Sequence, residues 1–314
     1  MNKKARSVLM KVLLLVSGVF FITCTPPIEG DFSLIVKLHN EVGGGLPSYS
    51  PCWSSDGSLI YFITSWDTLQ SGYPTDQVWS ISVLTGSLRQ ITYQECIETG
   101  IHGIDISKED NRCITYWPHG NGKIYVFETE TWEKIDSILP VEESQPGIHC
   151  DFYYPKFSYE SNEVAYYLYH ILEDSSYLRK VSFSDSTDDL ILTVKQNWFF
   201  APGPGDTLFA IGDTIFNSKT NERIPINIDL PTTGSVNWNP ANSSEVIIST
   251  GIYGDVYIFN LESSNKTRLD IRLPSNHIVN DARYSPDGER IVLEIEEVGD
   301  GTSEYGIWIF TFEE

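Results

Sequence analysis

Three of the six histidines could support metal chemistry because of where they lie in the sequence. They are His102, His149 and His277. Each lies in a connection that leads into a predicted first strand of a repeat, and such connections emerge on one face. The imidazoles could therefore converge on a divalent metal, with Asp105, Asp151 or Asp281 as oxygen ligands. Loop histidines more commonly bond backbone, so we predict no cofactor and keep a divalent metal as the alternative.

Two other kinds of catalytic signature are missing from the sequence. A serine peptidase needs a Gly-x-Ser-x-Gly elbow and an α/β-hydrolase domain, and the chain contains neither. The glycine run at 43–45 is followed by no lysine and no predicted helix, so it does not make a phosphate-binding loop. The sequence therefore favours a protein without enzymatic activity.

The amino terminus has the profile of a signal peptide over residues 1–23. Its only charges are basic, and the stretch from Val12 to Ile22 has none. That stretch is too short to cross a hydrocarbon core of ~30 Å as a helix. A short segment, 24–31, is then predicted to be a tether, because Pro26 and Pro27 cannot continue a helix.

The residues Phe21-Ile22-Thr23-Cys24 resemble the end of a bacterial lipoprotein signal. That resemblance implies that a diacylglycerol is attached to the Cys24 thiol and that the chain is cut before it. We therefore expect a lipid-anchored protein of the bacterial envelope, at the outer membrane or its periplasmic face. An ordinary secretory signal cut elsewhere is the alternative, and it also predicts export.

Charge excludes two classes of partner. Four of the 21 basic residues lie in the signal peptide, which leaves 17 against 43 acidic residues. So acidic a surface repels phosphate backbones and anionic lipid head groups. We therefore expect no nucleic-acid binding, and membrane attachment through the lipid anchor only.

Besides Cys24, four cysteines remain in the exported part of the chain, and an oxidising compartment would allow them to pair. They are Cys52, Cys96, Cys113 and Cys150. Cys96 and Cys150 lie in equivalent connections between adjacent repeats, so we favour that disulfide among the three pairings. Cys113 lies within a predicted strand and is expected to be a small buried hydrophobe.

A repeat must position these residues. An aromatic or aliphatic anchor is followed by Ser or Asn, a tight turn and an apolar strand, most clearly at 282–293, where the turn is Ser-Pro-Asp-Gly. Six copies recur at intervals of 38 to 53 residues. Their anchors are Trp53, Ile106, Phe157, Phe200, Trp238 and Tyr284. Two further strand patterns complete each copy, and four antiparallel strands per repeat is the signature of a propeller blade.

The last repeat ends after its third strand, whereas the strand-like segment 32–38 precedes the first repeat and has no repeat of its own. We predict that this segment supplies the missing outer strand. The predicted fold is thus an all-β, six-bladed β-propeller closed by an N-terminal strand, in a single domain spanning 32–314.

At the Ser285–Gly288 turn and its weaker copies the chain resembles the TolB-like propeller repeat. The resemblance implies an envelope protein whose ring presents loops to protein partners, or whose channel binds a small molecule. The predicted function is a non-enzymatic binding or scaffolding module with an envelope protein partner and, as a further expectation, a small ligand in the channel. The alternative is a metal-dependent lyase or hydrolase acting at the channel mouth on an extracellular glycan or peptide.

Overall fold

The structure is a computed structural model, and it shows six four-stranded antiparallel sheets arranged as the blades of a β-propeller. The residues it describes are 30–36, 48–64, 76–92, 101–109, 111–117, 123–138, 151–171, 175–195, 199–226, 234–251, 254–271, 273, 276–298 and 303–312. Both the fold class and the number of blades predicted from the repeats are confirmed.

Each of the first five blades consists of four strands that are consecutive in the chain. Blade 1 contains β2 (Ser48–Trp53), β3 (Leu59–Thr64), β4 (Gln77–Ser82) and β5 (Leu88–Gln90); blade 2 contains β6 (His102–Ile106), β7 (Arg112–Trp117), β8 (Lys123–Glu128) and β9 (Lys134–Ile138). Blade 3 contains β10 (Asp151–Phe157), β11 (Val164–Ile171), β12 (Ser175–Ser182) and β13 (Asp188–Lys195); blade 4 contains β14 (Phe200–Pro202), β15 (Leu208–Ile211), β16 (Thr214–Asn217) and β17 (Arg223–Pro225). Blade 5 contains β18 (Val236–Trp238), β19 (Glu245–Ser249), β20 (Val256–Asn260) and β21 (Asn265–Arg268).

Blade 6 combines the two ends of the described chain. Its strands β22 (His277–Tyr284), β23 (Arg290–Val298) and β24 (Ser303–Phe312) are completed by β1 (Gly30–Val36) in the order β1-β24-β23-β22. Strand β1 pairs antiparallel with β24 and begins two residues before the predicted domain boundary at residue 32. The prediction that an N-terminal strand closes the ring is confirmed.

The hairpin between the first two strands of blade 6 shows why the Ser-Pro-Asp-Gly turn recurs. The Ser285 hydroxyl donates to the Asp287 carboxylate and accepts the Arg290 N–H at 2.9 Å. The Glu289 N–H donates to Asp287 Oδ1 at 3.0 Å, and Gly288 has φ +77°, a conformation that strains any residue with a Cβ. Side chain and backbone together therefore determine where the first strand ends.

The hydrophobic core is divided among the blade interfaces. The buried apolar residues of the described ranges form six clusters, and each cluster joins one blade to the next. At the interface between blades 6 and 1, for example, Phe62 of β3 packs with Val292 of β23 and Ile309 of β24. Every sheet thus buries both faces against neighbours.

One predicted anchor is corrected by the hydrogen bonds. In blades 1 and 6 the residue after the anchor donates its N–H to the first carbonyl of the second strand, as Ser54 does to Leu59 at 3.0 Å. In blade 4 the equivalent donor is Gly203, which bonds Leu208 at 2.8 Å. The anchor position there is therefore Pro202 and not Phe200, because the turn of this blade departs from the Ser-Pro-Asp-Gly pattern.

Helical structure is minimal, and the described ranges contain no helix with the length and hydropathy needed to span a membrane.

Closure by β1 generates the first prediction. A chain that begins at residue 37 lacks β1 and leaves the edge of β24 unpaired, whereas a chain that begins at Gly30 keeps the pairing. We expect the shorter chain to lose on the order of 10 °C in melting temperature and to aggregate, because an open sheet edge templates association. Thermal unfolding followed by circular dichroism, with light scattering, measures both. Equal melting temperatures for the two chains would contradict the closing role of β1.

Candidate binding site at the channel mouth

A cavity of about 440 Å³ lies around the central axis. It opens on the face where the first strands of the blades end, and residues of all six blades line it. The anchors form part of its wall, including Trp53, Phe157, Trp238 and Tyr284. A concave site assembled from every blade is where a propeller can surround a ligand.

Within this cavity one position of the repeat faces the axis in each blade. It is the residue immediately before the anchor, because neighbouring residues of a strand point to opposite sides and the anchor lies between blades. The six residues are Cys52, Asp105, Lys156, Ala201, Asn237 and Arg283, and all of them line the cavity. We call them the axial ring.

The polar members of the axial ring form a closed circuit with Asp281. Arg283 Nη1 lies 3.5 Å from Asp105 Oδ1, which lies 3.8 Å from Lys156 Nζ. Lys156 Nζ lies 3.5 Å from Asn237 Oδ1, and Asn237 Nδ2 donates to Asp281 Oδ1 at 3.2 Å. Arg283 Nε completes the circuit at 2.8 Å from Asp281 Oδ2. Four blades are linked across the axis in this way.

The two small members of the ring make this circuit sterically feasible. Cys52 lies between Arg283 and Asp105 in blade order, and Ala201 lies between Lys156 and Asn237. Because neither side chain is large, the two cations reach past blades 1 and 4 to the blade beyond. Arg283 Nη1 thereby also donates to the backbone carbonyl of Ile104 in blade 2 at 3.1 Å.

The charges of the circuit perturb one another. Burial disfavours ionisation of Asp281, but the neighbouring charges of Arg283 and Lys156 hold the pKa of its carboxyl below the ordinary value. Against the cost of its own burial, the Asp281 carboxylate also raises the pKa of the Arg283 guanidinium. Burial, followed by the charge of Arg283, lowers the pKa of the Lys156 ammonium. Lys156 is therefore the least well compensated charge in the site.

Two anchors fasten the blades to the ring. The Trp53 indole N–H donates to the backbone carbonyl of Arg283 at 3.2 Å, and the Trp238 indole N–H donates to that of Ala201 at 3.0 Å. In both cases the acceptor is the axial-ring residue of the preceding blade. The blade interfaces thus hold the backbone of the ring in position.

A second buried acid lies next to this circuit. Glu294, in β23, accepts the Ser50 N–H on Oε2 at 2.8 Å. Burial and then the negative charge of Asp281 raise its pKa to about 8, although the Ser50 N–H, Asn280 and Arg283 oppose the shift. Glu294 therefore takes up a proton at neutral pH while Asp281 remains ionised.

Two of the three histidines predicted as a metal site lie at the ends of the first strands that are opposite to the cavity. His102 is the first residue of β6 and His277 the first of β22, whereas the cavity lies where these strands end. His277 Nδ1 lies 2.9 Å from Asn276 Oδ1, and its Nε2 lies 3.8 Å from Glu297 Oε2. His149 lies outside the described residues. Among the residues described, no group of three His, Cys, Asp or Glu side chains is arranged to hold a metal ion.

The predicted cysteine sites fall mostly outside the described ranges. Three of these cysteines lie outside the described residues, namely the lipidation residue Cys24 and both members of the favoured disulfide, Cys96 and Cys150. Cys113 is buried in β7 at 0% exposure, as its position in a strand predicts, and Cys52 belongs to the axial ring.

The axial ring is a site that the sequence patterns did not lead us to predict. A signal was present, since the residue before the anchor is charged or carries an amide in four blades. The wrong anchor predicted for blade 4 obscured this signal. If Phe200 is taken as the anchor, the residue before it is Phe199, whereas the residue in the axial ring is Ala201. Glu294 carried a signal too, as the acidic residue that follows Ile291, Val292 and Leu293 in a buried strand.

The fold identifies the chain as a six-bladed β-propeller, and comparison with known proteins supports that architecture. No protein-family model and no curated protein sequence matches the chain. The WD40 repeats of RRP9 superpose with a TM-score of 0.58 at 9% identity, over 92% of this chain and 99% of that one. U3-55K gives 0.57 at 10% over 90% and 98%, and a luciferin-regenerating enzyme gives 0.59 at 6% over 90% and 95%. At these identities the similarity concerns the fold alone.

Glu294 generates a prediction for the pH dependence of stability. In the folded protein its carboxyl keeps a proton up to about pH 8, whereas the unfolded chain releases it near 4.5. The free energy of unfolding therefore falls as the pH rises from about 4.5 to about 8, then levels. Glu294→Gln removes this loss because the glutamine side chain does not titrate. The melting temperature of the variant minus that of wild type should therefore be several °C larger at pH 9 than at pH 5.

Thermal unfolding of both proteins at the two pH values measures the effect. The amide oxygen of glutamine can still accept the Ser50 N–H, so the substitution changes the titration while leaving that contact available. An identical difference in melting temperature at pH 5 and pH 9 would contradict the raised pKa.

Proposed function

We propose that this chain is a non-enzymatic binding module of the bacterial envelope, related to TolB-like propellers, and that it binds an envelope protein through the face on which the cavity opens. The observation that carries the proposal is the convergence of all six blades on one lined cavity. A rigid ring holds the backbone of such a face in place, while its turns are free to vary. A chain in the nidogen/laminin complex matches with a TM-score of 0.53 at 8% identity, over 71% of this chain and 79% of that one, so a propeller of this kind occurs in a protein–protein complex.

The surroundings of the cavity suit recognition of a partner. Lys108, in the turn after β6, is exposed and lies 5.5 Å from the centre of the Tyr159 ring. Both residues line the cavity mouth. Tyrosine is enriched in protein interfaces, and the charge of the lysine next to its ring can complement an acidic group of a partner.

Attachment to the membrane is the second part of the proposal. The sequence Phe21-Ile22-Thr23-Cys24 supports a lipid on Cys24, and the closing strand begins six residues later, at Gly30. A tether this short would keep the propeller close to the membrane surface. Several acyl chains would hold it firmly, since each buried methylene contributes about 0.8 kcal/mol.

The anchor is tested by Cys24→Ser expressed in the native host. Wild type is expected in the membrane fraction and the variant in the soluble periplasmic fraction or as uncleaved precursor, because serine has no thiol to alkylate. Labelling with a clickable palmitate analogue provides an independent readout. Membrane retention of a correctly processed Cys24→Ser protein without label uptake would contradict the proposal.

The binding face is tested by charge reversal with a matched control. Lys108→Glu alters the cavity mouth, whereas Lys219→Glu makes the same change at an exposed lysine in the turn between β16 and β17, outside the cavity lining. We expect cross-linked partner recovered from native membranes to fall about tenfold for Lys108→Glu and to stay unchanged for Lys219→Glu. Quantitative mass spectrometry after affinity capture measures both. Equal recovery for wild type and Lys108→Glu would contradict the assignment of the face.

A further inference from the structure

The charge of the cavity differs in sign from that of the protein as a whole. The chain has a formal net charge of −22. In contrast, Lys108, Lys156 and Arg283 contribute three cations to the cavity lining, against the single carboxylate of Asp105 and that of Asp281, which is paired with Arg283. A cationic cavity in an acidic protein attracts an anion at this place in particular, because low-dielectric walls focus the local field.

Both buried cations of the cavity have hydrogen-bonding capacity left over. The Lys156 side chain is 10% exposed, and among the described residues its Nζ makes no hydrogen bond or ion pair shorter than the 3.5 Å to Asn237. Among the described residues, Arg283 Nη2 has no hydrogen-bond acceptor, since its partners use Nε and Nη1. A buried ammonium is costly unless it is paired and hydrogen-bonded. An added acceptor between these two groups would compensate both.

The walls above these donors are largely apolar. Trp53, Phe157, Trp238 and Tyr284 contribute aromatic surface. Three prolines, Pro202, Pro240 and Pro286, add to the wall. The volume of about 440 Å³ lies within the roughly 300–1,000 Å³ typical of small-molecule sites. The cavity therefore offers an apolar compartment with charged donors at its inner end.

We propose that the cavity binds a small organic monocarboxylate, whose carboxylate contacts Lys156 and Arg283 and whose ring or hydrocarbon part lies against the aromatic wall. Three cations against two carboxylates leave one net positive charge, which a monoanion neutralises and a phosphate dianion exceeds. The proposal rests on the proposed function, in that it treats this cavity as a binding site, and it adds the chemical class of a ligand.

The first experiment compares acids with their uncharged amides. Benzoate, 3-phenylpropionate, cyclohexanecarboxylate and hexanoate are titrated into the purified chain by calorimetry, each alongside its amide and with inorganic phosphate in a separate arm. For at least one pair we expect the acid to bind about tenfold or more tightly than the amide, because hydrogen bonds to charged groups are the stronger ones. Binding of no acid in preference to its amide, or tighter binding of phosphate than of every acid, would overturn the inference.

The second experiment assigns the binding to the ring. Lys156→Met keeps a long stem but removes the charge, and it should abolish the preference for acid over amide. Asp105→Asn removes the opposing carboxylate while its amide oxygen can still accept the Phe157 N–H, so affinity for the acid should increase several-fold. Lys219→Met, outside the cavity, should bind as wild type does. Circular dichroism checks that each variant is folded.

The two substitutions are expected to change the binding of the acid in opposite directions, so Asp105→Asn still tests the inference if Lys156→Met fails to fold. Unchanged or weaker binding of the acid by folded Asp105→Asn would then overturn the inference. Partner capture separates the two proposals. If the Lys108-dependent partner is recovered while no acid is preferred over its amide, the proposed function stands and the carboxylate site is wrong. If acids bind but no partner depends on Lys108, the site stands and the binding face for a protein is wrong.

Discussion

Burial of each sheet between two neighbours is the interaction on which the rest of this structure depends. The apolar clusters of the described residues lie between blades, so the blades cannot complete their cores separately. In such an arrangement stability comes from nearest-neighbour interfaces, as in other repeat proteins. A ring differs from an open array because its first and last blades must also meet, and here Phe62 packs with Val292 and Ile309 at that junction. Strand β1 pairs with β24, so both ends of the described chain lie in blade 6.

This stacking also determines where chemistry can occur. In the first strand of a blade the anchor points into an interface and must be apolar or bulky, whereas the residue before it points to the axis. At the axial position Cys52 and Ala201 still belong to apolar clusters between blades, whereas the other four blades have a polar or charged residue there, such as Asp105 or Arg283. Indole hydrogen bonds from Trp53 and Trp238 to backbone carbonyls at this position keep the ring geometry tied to the interfaces. Packing between blades thus holds the backbone of the axial ring in position, and the side chains of the ring determine its charge and polarity.

Buried charge is tolerated at the axis because it is arranged as a circuit. Asp281 and Arg283 form a short ion pair, and Asn237 bridges Asp281 towards Lys156. Removing one member would leave another charge unpaired in a low dielectric, which costs much more than the pair itself contributes. Lys156 has the longest contacts of the set, and burial lowers its pKa, which disfavours its charged form, so the circuit is balanced least at this residue. The charged groups of the circuit can therefore interact with a ligand as well as with one another.

The architecture could be predicted from the amino-acid sequence, because strand alternation, Ser-Pro-Asp-Gly turns and anchors are local signals that repeat. Six blades of four strands followed from them, as did closure by the segment near residues 32–38, observed as β1 at Gly30–Val36. Local signals were insufficient in blade 4, where the unusual turn led to the prediction of Phe200 as the anchor, although the anchor position is occupied by Pro202. Which side chains meet at the axis was evident from the tertiary structure alone, since Asp105 and Arg283 are far apart in the chain and lie 3.5 Å apart in space. Contacts of that kind depend on ring closure and on small residues such as Cys52 between them, and no local pattern encodes either.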